Sequence, residues 1–208
     1  MYHVGMCYSV SSSFGTFFFV FFICCVLWIR GSKLQKSLSI ILGFIAFMQV
    51  IEGFLWLNTE CTDINKFITS FIPVVLFLQP IVIIGTLYSF GTGFLSPVFY
   101  KILLAISLLS LPLYIDWFKG GIGKCTVVGQ NGHLVWPFTN TDPISLAHIV
   151  YNTILAIGFS TLDTEWYGIF YLIIAVLGYF KSRITYGHSW GSIWCHFVNL
   201  LAIGSLFV

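Results

Sequence analysis

The sequence predicts an all-α, polytopic bundle of seven transmembrane helices with a small β-hairpin between the fourth and fifth. Three observations predict it. Of 208 residues, 58% are hydrophobic and 8% charged, where an ordinary soluble domain carries about 25% charged residues. The mean hydropathy is +0.96. Apolar runs long enough to cross about 30 Å of hydrocarbon recur along the whole chain. Spans of this kind fill one transmembrane domain over residues 1–208 and leave no room for a soluble catalytic domain. The net charge of +2 comes from scattered Lys and Arg without a basic stripe, so nucleic acid is excluded as a partner.

The predicted spans lie near residues 14–30, 37–57, 68–90, 98–117, 144–161, 165–181 and 188–207. The first, Phe14 to Ile29 and onward, reads as a retained anchor rather than a cleavable signal. No Lys or Arg precedes it, and Arg30, Lys33 and Lys36 follow. The second carries Gln49, Glu52 and Trp56 at spacings of three and four, hence on one face. Glu52 is the acidic residue set well inside a span, where it must either hold a proton or pair with something. The third has Gln79 directly before Pro80 near its midpoint, which predicts a kink beside an amide. The fourth carries Pro112 near its end, a proline that neighbouring helices can accommodate, and closes at Asp116.

In the long connection near 118–143, Asn131-Gly132 stands between Thr126-Val127-Val128 and His133-Leu134-Val135-Trp136. Asn-Gly between β-prone runs is a strong hairpin signal, so a hairpin is expected over one mouth of the bundle. The fifth span places His148, Tyr151 and Asn152 on one face. A short Ser160-to-Thr164 turn leads into the sixth. The seventh carries a stripe of His188, Ser192, Cys195, His196 and Asn199. Trp28, Trp56, Trp117, Trp136 and Trp166 near span ends read as interfacial anchors.

Alternate helices run in opposite directions, which puts Glu52, His148, Asn152 and His196 in the same half of the bilayer, with Gln49 and Gln79 nearer the midplane and Asp116 at the rim. The expected pathway or ligand site is therefore Gln49, Glu52, Gln79, His148, Asn152, His196 and Asn199. Each has a bland reading beside the functional one: Gln49, Gln79 and Asn199 also suit interhelical hydrogen bonding. No catalytic residue, metal ligand set or cofactor is assigned.

Cys7, Cys61 and Cys125 fall on one side of a seven-span chain. A Cys61–Cys125 disulfide would tie the hairpin loop to the second connection if that side is oxidising, and free thiols are the alternative. The Lys/Arg distribution is nearly balanced between the two sides. The dense Arg30, Lys33, Lys36 cluster favours an outside or lumenal N-terminus, and Lys181 with Arg183 opposes it.

The favoured function is a channel, transporter or small-ligand receptor acting on a proton, a cation or a small solute; a homo-oligomer is compatible with it. A structural subunit of a membrane assembly or virion is the second reading. A third, an intramembrane metal hydrolase using two histidines with Glu52 or Asp116, lacks any H-x-x-x-H or H-E-x-x-H pair. Residues 188–208 hold no lysine for retinal, and the reversed Gln79-Pro80 does not make a PQ-loop repeat.

The stretch Phe47-Met48-Gln49-Val50-Ile51-Glu52-Gly53-Phe54-Leu55-Trp56, with Gly191-Ser192-Ile193-Trp194-Cys195-His196 and Asn199, resembles a family of uncharacterised multi-pass membrane proteins of large DNA viruses and some microbes. The resemblance implies that the Gln49/Glu52 face and the Trp194/Cys195/Asn199 face belong to one shared feature.

Overall fold

A computed structural model describes residues 9–138, 146–163, 165–189, 191–192 and 196–207. Of the residues singled out above, Cys7, Thr164, Ile193, Trp194 and Cys195 lie outside them. The fold is all-α with one small antiparallel sheet. Five stretches are long and apolar enough to cross a membrane: Val10–Arg30, Lys33–Leu57, Asp63–Phe90, Pro97–Lys119 and Trp166–Ser189. The chain is thus an integral, multi-pass membrane protein, and its wide apolar surface, including Phe18, Phe22, Leu109 and Ile184, is what a bilayer covers.

Helix α1 (Val10–Arg30) starts at Ser9, whose hydroxyl accepts the Ser12 N–H, and stops at Gly31, where φ is 85°. Such a left-handed residue ends a helix cheaply only as glycine. Ser32 and Gln35 then form a capping box that starts α2 (Lys33–Leu57), so the chain reverses in two residues and α2 packs back along α1. The third apolar stretch is two helices, α3 (Asp63–Thr69) and α4 (Phe71–Phe90), broken at Ser70 just ahead of Pro73. The fourth also divides, into α5 (Pro97–Leu109) and α6 (Leu111–Lys119). The single helix with an accommodated Pro112 expected from sequence is not what forms. Pro112 lacks a donor and its ring collides with the carbonyl one turn back, so a new helix begins at Ser110 with the proline in its first turn. Pro80, by contrast, sits inside a continuous α4.

Strands β1 (Val127–Val128) and β2 (Leu134–Val135) pair as Val127 with Val135 and Val128 with Leu134. This is the hairpin that Asn131-Gly132 predicts, and Gly132 takes the positive φ of 76° that the turn demands. Helix α7 (Leu146–Ser160) is apolar but only 15 residues long. Helix α8 (Glu165–Tyr186) runs five residues beyond its expected end at 181 and passes into a 3₁₀ turn, Gly187–Ser189. The expected seventh helix over 188–207 is interrupted among the described residues: Gly191 and Ser192 are helical, His196 and Phe197 form a turn, and regular α-helix follows as α9 (Val198–Ser205).

Both ends of the bundle are tied. At one end, Cys61 and Cys125 are disulfide-bonded with Cα atoms 5.4 Å apart. Beside them Asn65 is wholly buried: its Nδ2 donates to the Asn58 carbonyl (2.6 Å) and the Thr126 carbonyl (3.0 Å). Its Oδ1 accepts the Thr126 N–H (3.0 Å) and the Thr69 hydroxyl (3.1 Å). The hairpin tip is held as well, by Asn131 Nδ2 donating to the Tyr186 carbonyl and Ser189 Oγ donating to Asn131 Oδ1. At the other end, the loop after α4 bridges the turn after α7 through the Phe94 N–H to the Thr161 carbonyl and the Asp163 N–H to the Thr92 carbonyl, both 3.0 Å. There too Arg30 Nη1 donates to the Leu206 carbonyl at 2.7 Å, closing α1 against the end of α9.

Candidate functional site

The α2 face read from sequence turns inward. Gln49 and Glu52 have no exposed surface, and Gln49 Nε2 donates to Glu52 Oε2 at 2.9 Å. Glu52 sits five residues before the end of α2, about 7.5 Å along the axis at 1.5 Å per residue. Its other polar neighbours are the Ser192 hydroxyl and the indole of Trp136. Four buried atoms here lack a hydrogen-bond partner: Gln49 Oε1, Glu52 Oε1, Trp56 Nε1 and Ser192 Oγ. Neither ion pair among the described residues, Lys66–Asp63 and Lys119–Asp116, involves Glu52.

Trp136 corrects an expectation. It is not an interfacial anchor: it is 3% exposed, and its ring lies so close to Gly191 that a Cβ there would stand 2.7 Å from it. The strand that ends the hairpin thus sends its tryptophan down against Glu52, and glycine at 191 makes the room. Trp117 is likewise buried, stacked on Phe118 at 4.5 Å and lying 5.0 Å from the His148 ring. Trp28 and Trp166 are exposed, as anchors should be.

The seven expected site residues do not form one layer of mutual contacts; they fall into two groups. Gln49 and Glu52 share the side of the bundle that also holds His196 and Asn199, which meet α1 at one hydroxyl: Thr16 Oγ1 lies 3.4 Å from His196 Nδ1 and accepts from Asn199 Nδ2 at 3.2 Å. Thr16 carried no signal in the sequence, being one hydroxyl in a Phe-rich run.

The second group lies on α4, α7 and α8. Gln79 Oε1 accepts from the Tyr151 hydroxyl, while its Nε2 is buried without a partner beside a cavity of about 20 Å³ that Ile45, Phe197 and Leu201 also line. His148 Nε2 is 2.7 Å from the Tyr179 hydroxyl, which accepts from Arg183 Nη1 at 2.9 Å. Asn152 turns its amide back onto the His148 carbonyl at 2.8 Å. Asp116, expected at the rim, is exposed and paired with Lys119 at 2.7 Å.

Among the described residues no three His, Cys, Asp or Glu side chains are grouped so as to hold a metal ion, so the hydrolase reading gains no ligand set. Comparison with family models, with curated proteins and with solved structures returns no match.

Proposed function

We propose that the protein is a seven-pass membrane transporter or small-ligand receptor whose polar site, centred on Glu52, takes up a proton or a cation. The observation that carries this reading is a carboxyl without exposed surface, one oxygen bonded to Gln49 and the other without a partner. A lone carboxylate in hydrocarbon costs several kcal/mol. It is kept where a proton or cation is to be held, and the unpartnered Gln49, Trp56 and Ser192 atoms around it supply further polar contacts. Complete burial favours an occluded site over a permanently open channel.

Seven passes are supported by where the last segment begins and ends. Ser189 is bonded to the hairpin tip, whereas Leu206 is bonded to Arg30 at the opposite end. Between them α9 lies beside α8, the Tyr171 hydroxyl donating to the Leu201 carbonyl at 2.8 Å. The disulfide supports an N-terminus outside or in a lumen, because such bonds persist on the oxidising side. Membership of the viral and microbial multi-pass family belongs to the same proposal, resting on residues 47–56, 191–196 and 199.

The test is flux of protons or monovalent cations into proteoliposomes holding the purified protein. Glu52→Gln keeps the shape and removes the titratable group, so flux is expected to fall to the level of empty vesicles. Flux equal to wild type removes Glu52 from the mechanism.

A further inference from the structure

We propose that the groove between α7 and α8 binds an anionic bilayer lipid, with an acyl chain along its apolar wall and the headgroup at Arg183. The groove encloses about 390 Å³, within the range of about 300–1,000 Å³ typical of small-molecule sites. Leu155, Phe159, Leu172 and Val176 form much of its wall. It opens sideways to hydrocarbon, since Ile149, Val176 and Phe180 on its lips are all exposed. A water-borne solute has no direct way in from that side; a lipid chain does.

The polar groups are gathered at one end of this groove. His148, Asn152 and Tyr179 line it there, and the Arg183 guanidinium, one turn further along α8, donates to the Tyr179 hydroxyl at 2.9 Å. Tyr179 in turn meets His148 Nε2 at 2.7 Å. This chain of hydrogen bonds holds the cation beside the groove mouth. Arg183 is three residues from the end of α8 at Tyr186, about 4.5 Å along the axis, so the cation stands near the helix end while the apolar wall extends deeper. A zwitterionic lipid would find the same wall, but only an anionic headgroup is complementary to the mouth. This inference is independent of the Glu52 reading, because no residue is shared between the two.

The full chain is reconstituted into nanodiscs of equal parts phosphatidylcholine and phosphatidylglycerol, and the lipids it retains on release are counted by native mass spectrometry. One basic side chain at a lipid surface contributes about 1 kcal/mol, so the wild type should retain phosphatidylglycerol about fivefold over phosphatidylcholine. Arg183→Gln should bring the ratio to near parity and Arg183→Lys should keep it. Ala156→Phe, which fills the wall, should lower retention of both lipids. Parity in the wild type, an unchanged ratio in Arg183→Gln, loss of preference in Arg183→Lys, or undiminished retention in Ala156→Phe each overturns the proposal.

Discussion

Two buried polar clusters stand at the hairpin end of the bundle, built from similar side chains and separated by little more than the α2–α3 turn. In one, Asn65 uses both of its donors and accepts twice, joining Asn58, Thr69 and Thr126. In the other, Gln49 and Glu52 make one hydrogen bond to each other and leave an oxygen apiece without a partner. Burial alone does not separate them, since Asn65, Gln49 and Glu52 are all 0% exposed. Satisfaction does. A buried amide with every position filled fastens one element to another, whereas buried polar atoms that no side chain fills are expensive unless water or a bound proton, cation or solute completes them.

The largest expected effect follows from removing the fastener. Asn65→Leu leaves the Thr126 and Asn58 carbonyls without the donor they share. At about 1–3 kcal/mol for each buried group left unpaired, the loss should be about 3 kcal/mol, read as a lower melting temperature in detergent; a variant as stable as wild type would dissolve the distinction drawn above. The Cys61–Cys125 bond acts on the same junction and closes a sequence separation of 64 residues. Membrane insertion already confines both ends of that loop, so Cys61→Ser with Cys125→Ser should cost about 2 kcal/mol, the low end of the usual range. Equal melting temperatures with and without reductant would show that the Asn65 network suffices alone. Glu52→Gln, in contrast, should not lower the melting temperature while abolishing flux, since the substitution keeps the shape and relieves the cost of burying a carboxyl that no basic group among the described ion pairs balances.

The contrast also marks how far the sequence could be read. Five long apolar spans, the inward α2 face and the hairpin followed from hydropathy, periodicity and Asn131-Gly132, because each is a local pattern that its own neighbours decide. The breaks at Ser70 and Ser110 had a local cause in Pro73 and Pro112, yet membrane helices tolerate proline often enough, as at Pro80, that residue type does not say which one breaks. Asn65 was passed over because its partner Thr126 lies 61 residues away and a single Asn in a short loop helix has no distinguishing spacing. Depth along a helix follows from counting residues, whereas position around the bundle does not. That is why His148 and Glu52, placed in the same half of the bilayer, joined different neighbours: Tyr179 and Trp117 for one, Gln49 and Trp136 for the other.

The smallest effect concerns the hairpin tip, which is fastened less firmly than its base. His133 is buried there, its ring 5.1 Å from that of Tyr186 and set edge to face, and burial holds its imidazole below the ordinary value. The folded tip therefore favours the neutral ring, while the detached tip takes up a proton at the usual pH. Stability from this residue is complete above about pH 6.5 and declines as the pH falls further, because the unfolded form then binds more protons than the folded one. The base remains joined through Cys61–Cys125 and Asn65, so protonation loosens the Asn131 contacts to Tyr186 and Ser189 rather than the whole loop. The wild type should lose less than about 1 kcal/mol between about pH 8 and about pH 5 relative to His133→Gln, measured as the difference between their melting temperatures across that interval. A difference that stays constant with pH would mean that His133 binds its proton equally in the folded and the detached tip, and the tip would then be held as independently of pH as the base.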